Sequence, residues 1–186
     1  MSQRVGAEAV DRATSFRALC ADDDAFTPWY ETALPRVYGF VYGRTGGDAP
    51  LAEDITAEAF LEAIRARHSF DGRSDAVTWI CSIARNRLID HYRREARDQA
   101  RHLRLIVSDL SRNEAAAWDR LDDRDAVLSS LAGLPPLERT ALILRYLDGY
   151  SVRETARRIG RSEPATESLL MRARERVRTA FPGGPA

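Results

Sequence analysis

Apolar residues recur three and four positions apart along most of the chain, which is the periodicity of amphipathic α-helices. Alternating, strand-like runs are weak throughout. Turn-forming pairs such as Gly46-Gly47 and Asp148-Gly149 separate the periodic segments. The pattern predicts helices over residues 25–44, 50–67, 75–97, 114–132, 136–147, 152–159 and 163–180. We therefore expect an all-α fold.

The helical periodicity fades after residue 97, and this divides the chain. Two small helical domains are predicted over residues 25–96 and 126–181, joined by a flexible linker over 97–125. Residues 1–24 and 182–186 are predicted to be tails without fixed structure.

The formal net charge is zero, and all 28 cationic side chains are Arg. The charges are nevertheless segregated. Residues 48–62 hold five acids and no Arg, whereas residues 80–104 hold seven Arg against three acids. Residues 105–125 are acidic again, and residues 153–178 hold eight Arg against four Glu. Segments of opposite sign indicate more than one macromolecular partner.

Candidate catalytic and metal-binding groups are sparse. Cys20 and Cys81 are far apart and fit neither a disulfide framework nor a zinc pattern, and the three His lack metal-ligand spacing. We find no phosphate loop, no nucleophile motif, no signal peptide and no apolar run of membrane-spanning length. We expect a cytoplasmic protein with no catalytic residue, metal or cofactor. A redox role for Cys20 stays open.

The predicted helix over 50–67 carries Asp54, Glu58 and Glu62 four residues apart, on a face distinct from its apolar face. Like charges at this spacing destabilise an isolated helix by a few tenths of a kcal/mol per pair. A basic protein surface would offset that cost, although a solvated acidic face also fits the pattern.

The predicted helix over 75–97 is basic on its outer face. Its core-facing residues are predicted to be Trp79, Ile80, Ile83, Ala84, Leu88 and His91, and its outward residues Asn86, Asp90, Arg93, Arg94 and Arg97. Arginines and an amide beside Tyr92 suit DNA phosphates and unpaired bases. Arginines at this end of a helix also complement its dipole, which is the plainer interpretation.

Residues 148–162 carry the sharpest local signal. Ser151 and Glu154 have the spacing of a capping box, Gly160 can adopt a left-handed turn, and Ser162 can cap the next helix. A helix, a glycine turn and a second helix in this layout resemble a DNA-binding helix–turn–helix.

Four segments together resemble the extracytoplasmic-function sigma factors of the sigma-70 superfamily. Residues 35–38, 52–61 and 79–90 match their promoter-melting domain, and residues 131–174 match their upstream-element-binding domain. The resemblance implies a sigma factor that binds core RNA polymerase and directs transcription initiation at promoters with −10 and −35 elements. The alternative is a helix–turn–helix regulator that is not a polymerase subunit.

The resemblance also assigns residues to partners. Contacts with the polymerase clamp helices would come from Asp54, Glu58, Phe60 and Leu61, and the polymerase flap would meet residues near Pro136. The −10 element would be held by His68, Ser69, Phe70, Asp71, Arg73, Asn86, Asp90, Arg93 and Arg94. The −35 element would be held by Arg161, Ser162, Glu163, Ala165, Thr166, Glu167, Ser168 and Arg172. An anti-sigma factor would cover these exposed surfaces.

The chain departs from the family pattern at several of these places. Ala57 stands where the family often has Gln, and Ala76 where it often has an aromatic residue. Glu167 and Leu169 replace a basic pair in the recognition helix. An acid in place of a cation removes phosphate contacts, so we expect weak intrinsic affinity for the −35 element.

Overall fold

The computed structural model describes residues 2–106 and 131–180, and every regular element in these ranges is helical. The N-terminal range contains α1 (Ser2–Leu19), α2 (Asp23–Thr45), α3 (Ala49–Arg65), a 3₁₀ turn (Arg67–Ser69) and α4 (Ala76–Ile106). The C-terminal range contains α5 (Pro136–Leu142), a π-helical segment (Ile143–Leu147), α6 (Val152–Ile159) and α7 (Glu163–Ala180). The all-α prediction is confirmed. Within the described ranges, no helix combines the length and apolar character needed to cross a membrane.

Helix α1 corrects the prediction that the first 24 residues are an unstructured tail. Ala13 and Phe16 of α1 are buried, with 5% and 4% of their surface exposed. The Phe16 ring packs edge-on against Trp29, with 5.6 Å between ring centroids. Sequence periodicity missed this helix because, among residues 11–19, Phe16 is the only large apolar side chain that is buried.

Helix α4 continues to Ile106, nine residues beyond its predicted end. No Gly or Pro occurs between its ends. Arg97 Nε donates to the carbonyl oxygen of Arg93, and Arg101 lies 3.8 Å from the Asp98 carboxylate. Local helix propensity therefore carries the helix past the point where apolar periodicity fades. The predicted helix over 114–132 and the rest of the predicted linker lie almost entirely outside the described residues.

The chain forms two compact units, Met1–Gly43 with Asp48–Arg87, and Arg44–Gly47 with Leu88–Ala186. In the first unit, α2, α3 and α4 contribute the buried core. Its members include Val37, Val41, Ala52, Ile55, Ala59, Ala63, Ile80 and Ala84. The domain limits 25–96 and 126–181 remain a prediction.

The second unit is built around a separate apolar cluster. Its buried members are Ile89, Leu134, Ala141, Leu142, Leu144, Ile159, Leu170 and Ala173. Arg139 donates to the carbonyl oxygens of Thr45 and Ala132 at 2.9 and 2.7 Å. Arg44 pairs at 2.6 Å with Asp148, whose side chain is 1% exposed. Paired arginines thus satisfy polar groups at the edge of an apolar core.

Candidate functional site

Helix α3 presents an acidic face with one large apolar side chain in it. Asp48 caps the helix by accepting a hydrogen bond from the Leu51 amide, which fixes where the helix begins. The apolar side of the helix is buried, so Asp54, Glu58 and Leu61 stand exposed at i, i+4 and i+7. Leu61 is 53% exposed, which is high for a large apolar side chain.

Arg87 of α4 pairs with this acidic face. Its Nε lies 2.6 Å from a carboxylate oxygen of Glu62, and its Nη1 lies 3.9 Å from Glu58. Residues 48–62 contain no cation of their own. Arg87, which follows Glu62 by 25 residues in the sequence, supplies one in the folded chain. Arg87 therefore compensates part of the negative charge of Glu58 and Glu62. Asp54 lies about one turn nearer the N-terminus of α3.

Phe60 was predicted to contact the polymerase, and the structure corrects this. Its side chain is 3% exposed and packs edge-on against Tyr30, with 4.9 Å between ring centroids. A side chain this deeply buried supports the helix from inside and offers almost no surface to a partner.

The loop between α3 and α4, residues 66–75, contains five of the predicted −10 residues and presents four of them to solvent. His68, Ser69, Asp71 and Arg73 are exposed. Ser69 donates from both its amide and its hydroxyl to the carbonyl oxygen of Ala66, and Asp71 accepts from the Arg73 amide at 3.1 Å. Gly72 has a φ of 70°, a left-handed conformation that glycine adopts at little cost. The loop is therefore a defined turn.

Asp75 ends this loop and caps α4. Its carboxylate accepts from the hydroxyl and the amide of Thr78. The hydrogen bond from the Thr78 hydroxyl, assisted by backbone amides and by Arg36, lowers the pKa of Asp75. The charged form of this cap is therefore favoured in the folded chain.

Phe70 does not fit its predicted role in base capture. The ring is 1% exposed and packs against Trp79, with 5.1 Å between centroids. Phe70 anchors the loop to the core of the first unit, and a DNA base cannot stack on a ring that is already enclosed.

The outer face of α4 agrees with the sequence pattern. Asn86, Asp90, Arg93 and Arg94 are all exposed. Tyr92, which was expected to lie available beside them, is 2% exposed instead. Its hydroxyl accepts from Arg139 at 3.3 Å, and the Arg139 guanidinium lies 5.3 Å from its ring centroid. This aromatic is thus part of the second unit's interior and cannot stack on a base.

Helices α6 and α7 have the geometry expected of a helix–turn–helix. Ser151 and Glu154 form both hydrogen bonds of a capping box at the start of α6. Gly160 follows α6 with a φ of 71° and a ψ of 41°, which turns the chain. Ser162 then accepts from the Ala165 amide at the start of α7. Each of these local predictions is confirmed.

Helix α7 and the two residues before it expose nearly all of the predicted −35 residues. The exposed members are Arg161, Ser162, Glu163, Ala165, Glu167, Ser168 and Arg172. Thr166 is the exception, because its side chain is fully buried and its hydroxyl donates to the carbonyl oxygen of Ser162 at 2.9 Å. Thr166 therefore stabilises the first turn of the helix and does not reach outward.

Glu138 is a residue that sequence reasoning missed. It lies on α5 with 7% of its side chain exposed, between two arginines of α7. Arg176 Nε lies 3.1 Å from Oε2, and Arg172 Nε lies 3.7 Å from Oε1. The ion pairs join the two helices across the unit and draw Arg172 toward the protein. Glu138 precedes Arg172 by 34 residues, so the spacing of charges along the sequence does not indicate this ion pair.

The π-helical segment places two apolar side chains on the surface of the second unit. The Asp148 amide donates to the carbonyl oxygen of Ile143, which is the wider hydrogen bond of a π-turn. Tyr146 and Leu147 are 57% and 58% exposed. The segment offers apolar contact area outside the predicted DNA-facing residues.

The Cys20 thiol is half-buried, and this burial raises its pKa despite the opposing effect of Arg67. A raised pKa keeps the thiol protonated near neutral pH and makes it a poor nucleophile.

Two family models match the chain. The model of sigma-70 region 2 matches residues 29–98, and the model of sigma-70 region 4 matches residues 124–177. The first match contains the acidic face, the α3–α4 loop and the exposed face of α4. The second contains the helix–turn–helix. A stand-alone helix–turn–helix regulator would account for the second match alone.

Named relatives agree with these matches. The extracytoplasmic-function sigma factor BldN of Streptomyces coelicolor is 36% identical over 84% of this chain, and this chain spans 60% of its length. The sigma factor CarQ of Myxococcus xanthus is 32% identical over 83% of this chain and 88% of its own length. A solved complex of the sigma factor RpoE with the anti-sigma factor NepR from Bartonella quintana matches at 23% identity and a TM-score of 0.49, over 86% of this chain and 98% of that chain. This chain belongs to the extracytoplasmic-function sigma factors of the sigma-70 superfamily.

Proposed function

We propose that this chain binds core RNA polymerase and directs it to promoters, with no catalysis of its own. The observation that carries the proposal is the pairing, within one chain of this family, of an exposed acidic face containing Leu61 and a complete helix–turn–helix. One surface suits a protein partner and the other suits DNA. Work with the polymerase would place the chain in the cytoplasm.

The polymerase contact is assigned to Asp54, Glu58 and Leu61. Their exposure on one side of α3 supports this assignment. The acids would meet a basic helical surface, and Leu61 would supply buried apolar area when the complex forms. Phe60 keeps a supporting role beneath them. The region near Pro136 is assigned to the polymerase flap; because Pro136 itself is buried, the contact would come from exposed neighbours such as Pro135. The exposed Tyr146 and Leu147 offer a further apolar surface to the polymerase.

The −10 contact is assigned to the exposed side chains of the α3–α4 loop and of α4. Flipping a base out of the duplex costs a few kcal/mol, and capture by stacking and hydrogen bonds returns about 1–3 kcal/mol per base. Melting is then close to balance, so polymerase contacts must supply the remaining free energy.

The −35 contact is assigned to the exposed residues of α7, whose N-terminal part would enter the major groove. Glu163 and Glu167 oppose phosphate there, and Arg172 is drawn toward Glu138. These charges support weak affinity for the −35 element without the polymerase.

An anti-sigma factor is part of the proposal. Exposed apolar side chains in both units, Leu61 in the first and Tyr146 and Leu147 in the second, would give such a regulator two places to bind. Co-purification from the native host would recover the regulator, and repeated recovery of the chain alone would count against this part.

The decisive experiment measures the affinity of the chain for bacterial core RNA polymerase. The double variant Asp54→Asn with Glu58→Gln removes two charges and keeps the side-chain shapes. We expect the affinity to fall about tenfold, because charged pairs at protein interfaces often contribute more than 1 kcal/mol. Transcription from a genomic promoter library should fall with it.

The matched control is Asp24→Asn with Glu31→Gln. Both acids are exposed on α2 of the same unit, so the control removes the same charge from another helix. Its affinity for core polymerase should stay at the wild-type value. Equal losses in both double variants would show a general charge effect, and no binding by the wild-type chain would refute the proposed function.

A further inference from the structure

Helix α1 lies directly against the α3–α4 loop. Phe16 packs edge-on against Phe70 of the loop and against Trp79 of α4, with centroid distances of 5.3 and 5.9 Å. Phe16 and Phe70 are both buried. This contact holds α1 against Phe70, the loop side chain that is buried in the core of the first unit.

Two arginines of α1 donate hydrogen bonds to the loop backbone. Arg17 Nη2 lies 3.1 Å from the carbonyl oxygen of His68 and 3.2 Å from that of Phe70. Arg12 Nε lies 2.9 Å from the carbonyl oxygen of Gly72. The three acceptors belong to alternate residues, so α1 binds one edge of the loop over residues 68–72.

The loop side chains assigned to DNA are exposed while these carbonyl groups are held. His68, Ser69, Asp71 and Arg73 project from the backbone that α1 binds. The directions of these side chains follow from the backbone angles of the loop. Recognition of a single base depends on donors and acceptors placed to within a fraction of an ångström. Fixing three carbonyl groups is therefore a direct means of fixing which base the loop accepts.

We infer that Arg12 and Arg17 are positioning residues for base selection, through which the N-terminal helix sets the selectivity of the −10 contact without touching DNA. The inference rests on the proposed function and deepens it. Neither arginine belongs to the set assigned to DNA or polymerase, and both act through the loop backbone.

The test uses the full chain bound to core RNA polymerase and a promoter library randomised across the −10 element. The variant Arg12→Met with Arg17→Met removes the donors and keeps apolar stems. We expect base preference at the positions read by the loop to flatten about fivefold, at the low end of the cost of one mismatched base pair. Preference at the −35 element and affinity for core polymerase should stay at wild-type values.

Two further variants separate loop positioning from loss of charge or of folding. Arg65→Met removes an exposed cation at the end of α3 and should leave base preference intact. Arg17→Lys keeps a donor group that can serve two carbonyl oxygens, as Arg17 Nη2 does, and should restore most of the preference. If the double methionine variant fails to fold, the single variants Arg12→Met and Arg17→Met test the inference, because each should flatten base preference and an unchanged preference in both would overturn it.

Hydrogen exchange of the loop amides gives a readout that needs no DNA. Exchange over residues 68–73 should accelerate in the double methionine variant and stay unchanged in Arg65→Met. Asp71→Ala serves as the reference for a loop that has lost a base contact. If Asp71→Ala flattens base preference but the double methionine variant does not, the inference fails and the proposed function stands. A wild-type holoenzyme without promoter-dependent transcripts overturns both.

Discussion

At the scale of single residues, Asp75 joins the α3–α4 loop to the helix that follows. Its carboxylate accepts from the Thr78 hydroxyl and amide, and these hydrogen bonds lower its pKa. A group whose pKa is lowered on folding stabilises the fold above its unfolded pKa, near 3.8. That contribution is lost as the pH falls through the lower, folded value.

Replacing this cap tests its contribution. Asp75→Ala should lower the free energy of unfolding at pH 7 by about 1 kcal/mol, the usual cost of losing an N-cap. The deficit should shrink once the pH falls below the ordinary Asp range, because protonation then removes the same charge from the wild type. Urea titrations followed by tryptophan fluorescence would measure the free energy of unfolding of both proteins at pH 7 and at the lower pH. Asp75→Asn keeps an acceptor oxygen and should lose less stability than Asp75→Ala. An alanine variant as stable as the wild type would contradict the proposed contribution of this cap.

At the scale of elements, Glu138 is the clearest example of one helix holding another. It stands on α5 and pairs with Arg172 and Arg176 of α7. Its carboxylate is buried, whereas the arginines are 58% and 59% exposed. The pair therefore positions α7 and at the same time reduces the positive charge that α7 presents.

The variant Glu138→Gln should lower the free energy of unfolding by about 1 kcal/mol, below the range for fully buried pairs because the arginines remain hydrated. Released from the carboxylate, the arginines should strengthen non-specific DNA binding and steepen its salt dependence. Urea unfolding and fluorescence anisotropy at several salt concentrations would measure the two effects. Glu175→Gln breaks an exposed pair with Arg178 and is the matched control, expected to change stability little. Loss of stability without a change in DNA binding would mean that the pair serves structure alone.

At the scale of the whole molecule, the decisive quantity is a net charge of zero made from 28 cations and 28 anions. Affinity for DNA phosphates depends on local positive charge, and here acidic segments alternate with basic ones. The acidic face of α3 suits a protein partner, whereas the basic segments suit DNA. This balance supports the proposal that tight promoter binding by the chain requires the polymerase.

The chain alone should therefore bind promoter DNA poorly at physiological salt, with a dissociation constant in the non-specific range of about 1–100 µM. Adding core polymerase should tighten promoter binding at least about a thousandfold, toward the range of specific complexes. Footprinting with and without core polymerase measures this directly. Protection of both promoter elements by the chain alone would contradict the charge argument.

Features set by residues close together in sequence were predictable. The helical fold follows from apolar spacing, and the capping box at Ser151 and Glu154 follows from a three-residue interval. The left-handed turn at Gly160 follows from the backbone freedom of glycine. The exposed face of α4 follows from periodicity, because a core-facing stripe leaves the opposite stripe to solvent.

Features that join distant residues were decided by the tertiary structure. A motif does not distinguish a side chain that meets a partner from one that supports its neighbours, so the burial of Phe60, Phe70 and Thr166 appeared only once the helices were packed. The docking of α1 and the pairing of Arg87 with Glu62 likewise depend on which surfaces meet in space. Sequence alone determined most of the helices and their exposed faces, because hydrogen bonds and periodicity act locally. The packed fold determined which residues on those helices remain available to a partner, because burial is a property of neighbours that are remote along the chain.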